Sequence, residues 1–174
     1  AAEMHRGLWK GVWSLNVPGK IKHFLWKCCS NALPTKVNLW KRTITADCVC
    51  HLCSEQAEDV LHALWGCVKV RQVWLRSFGW LVHNFAVADS FSDLVRLVQT
   101  RPKSLLLFAV TAWAVWHHRN KSRLQAVTVP LDRIAVFAES YLQNYVAGHG
   151  VRRPPARSIV GVVKWNPSCE LAVK

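Results

Sequence analysis

Three observations in this sequence predict a mainly α fold. Apolar residues recur at helical spacing along most of its 174 residues. Cys and His crowd into one stretch, 48–67, too short to build a core of its own. A run of Gly, Pro and Arg near the C-terminus reads as a linker. The expected arrangement is a small metal-stabilised helical module over 9–80, a helical connector over 90–146, and a basic Pro/Gly linker within 147–174.

The first predicted helix runs from Lys20 to Leu33, where Ile21, Phe24, Leu25, Cys28 and Cys29 form one apolar stripe and Lys20, Lys22, His23 and Lys27 take the opposite side. Pro34 ends it, and Thr35 caps a short helix through Val37 and Trp40, closed by a turn at Thr45-Ala46-Asp47. Glu58 to Trp65 is expected to be helical, presenting His62. Val68 to Phe78 has Val70, Val73 and Trp74 on one side. Ser92 or Asp93 is the expected cap of a helix through Gln99, which Pro102 separates from the next. Ser104 to Arg123 is strongly apolar and ends in His117, His118, Arg119, Lys121 and Arg123, cations suited to a helix C-terminus. A last helix starts near Pro130 and Asp132 and turns Ile134, Phe137, Tyr141 and Tyr145 inward, and Val151 to Ser158 is the basic linker.

Composition narrows the function classes. Apolar residues make up 51% of the chain and ten residues are Trp, which excludes outright disorder. Lys and Arg number 23 against 10 acids, a formal +13 and a pI near 9.9, so polyanions, RNA or DNA first among them, are the expected partners. The seven Cys are an odd number and no signal core opens the chain, so an intracellular protein, nuclear or cytoplasmic and not secreted, is expected. The longest apolar stretch, Leu105 to Trp116, is shorter than the ~20 residues of a membrane span. With no Met at its start and no terminating signal after Val173-Lys174, the sequence reads as a fragment of a longer protein.

The most informative spacing is Cys50-x2-Cys53, eight residues to His62, then four to Cys67. Two thiolates on one tight turn and a second pair from a short helix complete a tetrahedron, and N/S donors favour zinc over magnesium or calcium. Four protein ligands leave no open position for water, so the zinc is expected to be structural and its binding to be part of folding. Cys48 could replace Cys50, and His51 is a rival to His62, although the Cys-x2-Cys chelate is tighter. Cys28 and Cys29 read as core. The retroviral zinc knuckle keeps four residues where this chain has eight, so it is a different module.

Trp9-Lys10-Gly11-Val12-Trp13, Val17-Pro18-Gly19-Lys20-Ile21-Lys22-His23-Phe24-Leu25-Trp26, Asn31-Ala32-Leu33-Pro34-Thr35, Arg42, the Cys-x2-Cys turn, Glu58, His62, Cys67 and Trp74 follow one another in order. This series, over residues 9–76, resembles the zinc-binding region that follows reverse transcriptase in plant LINE-type, non-LTR retrotransposons. Trp113-Ala114-Val115-Trp116-His117-His118-Arg119-Asn120 is similar to the Trp-x2-Trp-x2-Arg-Asn helix of the same proteins. Gly19 departs from the pattern where a second Pro is frequent. The resemblance implies a ribonuclease H domain next, and Trp165-Asn166-Pro167 and Lys174 look like its opening, which stops before the first catalytic Asp. No catalytic residue is carried over, so the fragment is expected not to be an enzyme.

Two roles follow. The first is nucleic-acid association, with Lys20, Lys22, Lys27, Lys36, Lys41 and Arg42 on phosphates and Trp26 and Trp40 stacking on bases if exposed. For both Trp, burial in the core is the ordinary alternative. The second is a spacer that orients the reverse transcriptase and ribonuclease H domains of the parent protein without touching nucleic acid.

Overall fold

The computed structural model describes residues 2–82 and 88–149. They form α1 (Ala2–Ser14), α2 (Gly19–Cys29) and α3 (Lys36–Lys41), a π-helical turn (His62–Gly66), then α4 (Arg71–Val82), α5 (Phe91–Gln99) and α6 (Pro102–Arg123), a 3-10 turn (Leu131–Arg133) and α7 (Ile134–His149). Among the described residues the only extended pairing is an isolated bridge between Val49 and Ala57. The mainly α class read from periodicity is the observed one. No described helix is long and apolar enough to cross a membrane.

Helix ends depart from the sequence reading for local reasons. α2 stops at Cys29, short of Leu33, because Asn31 turns left-handed (φ 50°). The N–H of Ala32 then bonds the carbonyl of Lys27, and that of Asn31 the carbonyl of Cys28, which satisfies the last carbonyls before Pro34 is reached. Ser90, not Ser92 or Asp93, caps α5: its Oγ accepts from the Asp93 N–H. Pro102 opens α6 at a position where its missing N–H costs nothing. α4 begins at Arg71, after a turn at 68–70, and is kinked at Phe78 (φ −131°). α1 was not foreseen, although Leu8 and Val12 mark its buried side. α7 continues through His149, so the expected linker region starts helical; residues 150–174, including Val151 to Ser158 and the ribonuclease H-like opening, lie outside the described residues.

α6 is the spine of the molecule. It packs on α2, α5, α7 and the π turn. Phe108 sits in its first half, with ring centroids of Trp74, Phe78, Phe91 and Trp65 at 5.0, 5.6, 5.8 and 6.3 Å. The Trp74 ring nitrogen, buried with the rest, donates to the Leu64 carbonyl at 2.9 Å. One hydrophobic core therefore runs from Leu8 and Val12 through Ile21 and Leu25 to Val115 and Ile134, joining the expected module and connector.

Candidate metal centre

The Cys-x2-Cys segment forms a knuckle. The N–H of Cys50 bonds the carbonyl of Gln56, that of Glu58 bonds Cys48, and that of Ser54, whose φ is 59°, bonds back to Cys50. This fold aims backbone N–H groups at the sulfurs: those of Leu52 and Cys53 at Cys50, those of Glu55 and Gln56 at Cys53. Such donors stabilise thiolates. Burial by itself pushes both thiols up, but these N–H groups, with Arg119 at Cys50, hold Cys50 and Cys53 below the ordinary thiol value. Cys67 is pushed up to about 11, chiefly by burial, partly offset by the Lys69 N–H.

The second pair comes from the π turn. Glu58 lies ahead of the helical segment, which starts at Val60 and widens from His62, instead of running regularly from Glu58 to Trp65. Asp59 caps it, its Oδ1 accepting from the His62 N–H at 2.6 Å. A wider turn is a recurrent device at functional sites; here it ends with the Cys67 N–H bonded to the His62 carbonyl.

The donor atoms of Cys50, Cys53, His62 and Cys67 all lie within 4.8 Å of one another. Cys50 Sγ and Cys67 Sγ are 3.9 Å apart, and Cys53 Sγ and His62 Nε2 3.4 Å. A tetrahedral zinc with Zn–S of about 2.3 Å and Zn–N of about 2.0–2.1 Å needs S···S of about 3.8 Å and S···N of about 3.5 Å. The donor set fits zinc. His62 Nδ1 lies 3.0 Å from Gln56 Oε1, and a proton held there leaves Nε2 free to face the cluster. Gln56 was not singled out by the sequence, which holds no signal for it. Cys48 is outside the cluster, and His51 turns its Nδ1 to Glu58 at 3.2 Å.

Behind the sulfurs sits a buried ion pair. Arg119, on α6, donates from Nη2 to Glu58 Oε2 and to Cys50 Sγ, the latter at 3.0 Å, with both charged side chains 1% exposed. Burial would raise the Glu58 carboxyl, but Arg119 holds it below the usual carboxylate range. Burial likewise opposes the charge on Arg119, and Glu58 and Cys50 together outweigh it. Arg119, one of the cations near the C-terminus of α6, is wholly internal.

The other six expected residues lie outside this centre. Lys20 Nζ stands 4.7 Å over the Trp113 ring, Lys22 donates to the Trp13 carbonyl at 3.0 Å, and Lys36 pairs with Asp47 at 2.8 Å. Lys27, Lys41 and Arg42 are exposed and have no ion pair among the described residues. Trp26 and Trp40, for which burial was the ordinary alternative, are 41% and 50% exposed.

A four-donor Cys3His cluster with every corner supplied by protein, set on a helical scaffold, defines a structural-zinc module. Residues 2–74 match the family described as zinc-binding in reverse transcriptase, the family that the residue series over 9–76 resembles. The chain is also 26% identical, over 177 aligned residues, to an Arabidopsis thaliana protein named "Putative ribonuclease H protein". The alignment covers 91% of this chain and 27% of that protein, so the chain spans about a quarter of its relative's length. No solved structure matches the chain.

Proposed function

We propose that this chain is the structural-zinc, nucleic-acid-associated and non-catalytic module of a retrotransposon reverse transcriptase protein, with zinc held by Cys50, Cys53, His62 and Cys67. When bound, zinc supplies cross-linking: it replaces the core that residues 48–67 lack. All four donors come from the chain, which leaves no corner for a reacting water. The polymerase and ribonuclease H domains of a longer parent protein are the protein partners of this reading.

The observation that carries the nucleic-acid part is the exposure of Trp26 and Trp40 beside cations with no acidic partner among the described residues, Lys27 next to Trp26 and Lys41 and Arg42 next to Trp40. Unstacked bases lie on exposed aromatic rings, and flanking cations meet the phosphates. Lys36 contributes less, because Asp47 already neutralises it. The test is binding of single-stranded and duplex RNA and DNA across a salt series. Lys27→Ala, Lys41→Ala and Arg42→Ala together are expected to weaken binding to all sequences and to flatten the log–log salt slope by up to about three units. Absence of binding at low salt, or indifference to the triple change, overturns this part and leaves the spacer role, which the core shared between module and connector favours.

A further inference from the structure

The matched family segment ends at residue 74, yet one side chain that touches a sulfur of the cluster comes from α6, far beyond it. Arg119 and Cys50 are 69 positions apart, and Arg119 and Glu58 61 apart. A buried guanidinium is costly unless anions receive its N–H groups. Here Nη2 alone serves two acceptors, while Nε and Nη1 are buried with no partner among the described residues. Packing by itself gives no reason for so incomplete a fit. The two anionic acceptors do, and one of them is a candidate zinc ligand.

We propose that Arg119 is a positioning residue of the zinc centre, so that the zinc-binding unit extends through α6 and is larger than residues 2–74. The proposal rests on the ligand assignment above. A dication with three thiolates and a neutral imidazole keeps one net negative charge. Arg119 places the opposing charge against Cys50, through the kind of charge-assisted hydrogen bond that fixes a ligand's orientation. The backbone N–H groups aimed at the Cys50 sulfur come from its own knuckle, and Arg119 adds a donor from the spine helix.

The double variant Glu58→Gln/Arg119→Met separates this role from a plain ion pair, because it removes both charges together and leaves neither buried alone. On the 174-residue chain, zinc affinity by chelator competition is expected to fall about 10–100-fold relative to wild type and to Glu58→Gln alone. In the cobalt-substituted protein the sulfur-to-cobalt charge-transfer band is expected to move to lower energy, since a thiolate that loses an N–H donor gives up its electrons more readily. Wild-type affinity with an unshifted band overturns the proposal alone. A wild-type chain that takes up neither metal overturns the ligand assignment and the proposal with it. Should the double variant fail to fold, hydrogen exchange on the wild type decides: chelation is expected to deprotect amides 115–119 of α6 together with those of 50–67, and unchanged protection in α6 overturns the proposal.

Discussion

Glu58 carries its charge into a site where it is 1% exposed, accepting from Arg119, from the Lys36 N–H at 3.3 Å and from His51. Removing one partner of such a pair strands the other, so Glu58→Ala is expected to cost about 3–5 kcal/mol in urea unfolding of the zinc-loaded chain. A loss below about 1 kcal/mol would mean the pair is solvated, as surface pairs are. The pH dependence has a definite sign. Because the folded pKa of Glu58 is depressed, its stabilisation is present above its unfolded pKa of about 4.3 and vanishes as pH falls through the lower folded value. The stability difference between wild type and Glu58→Gln should therefore hold constant above about pH 5 and shrink in acid. At this scale the four candidate ligands were legible, since their spacing lies within one short stretch. The contacts of Arg119 and Gln56 with these ligands were not: Arg119 arrives from a distant helix, and Gln56 matters only once the knuckle has folded.

Helices were legible where an apolar stripe exists. Ile21, Phe24, Leu25 and Cys28 on α2 are buried as their periodicity implied, and most of the apolar run from Leu105 on α6 is buried. Ends were less so, because the chain stops helices with residues that carry no obvious stop signal. Asn31, Thr43 and Gln125 all take positive φ after α2, α3 and α6. Thr43 is the strained one, a β-branched residue at φ 56° that is exposed to solvent. Left-handed backbone costs a non-glycine residue about 1–2 kcal/mol, so Thr43→Gly is expected to stabilise the chain by about 1 kcal/mol, read as a raised thermal midpoint. A lowered midpoint would mean that the Thr43 hydroxyl, which donates to the Arg42 carbonyl at 2.7 Å, matters more than the strain. The π turn was read as a regular helix because His62 to Trp65 has helical composition. Its widening reflects the demand that His62 and Cys67 face the knuckle.

Across the whole molecule, the sequence reading separated a zinc module from a helical connector, while the structure gives them one continuous core with α6 at its centre. Long-range packing of this kind, such as Phe108 against Trp74, leaves no trace in local periodicity. With zinc bound, the chain is therefore expected to unfold in one transition, with Trp fluorescence and helical circular dichroism coinciding. All of this depends on the identity of the zinc ligands. X-ray absorption at the zinc edge on the purified, stoichiometrically loaded chain measures that shell directly. One zinc per chain is expected, with three sulfurs at about 2.3 Å and one nitrogen at about 2.0–2.1 Å. A shell of four sulfurs, which would bring in Cys48, or one containing water oxygen, or the absence of stoichiometric zinc, would contradict it.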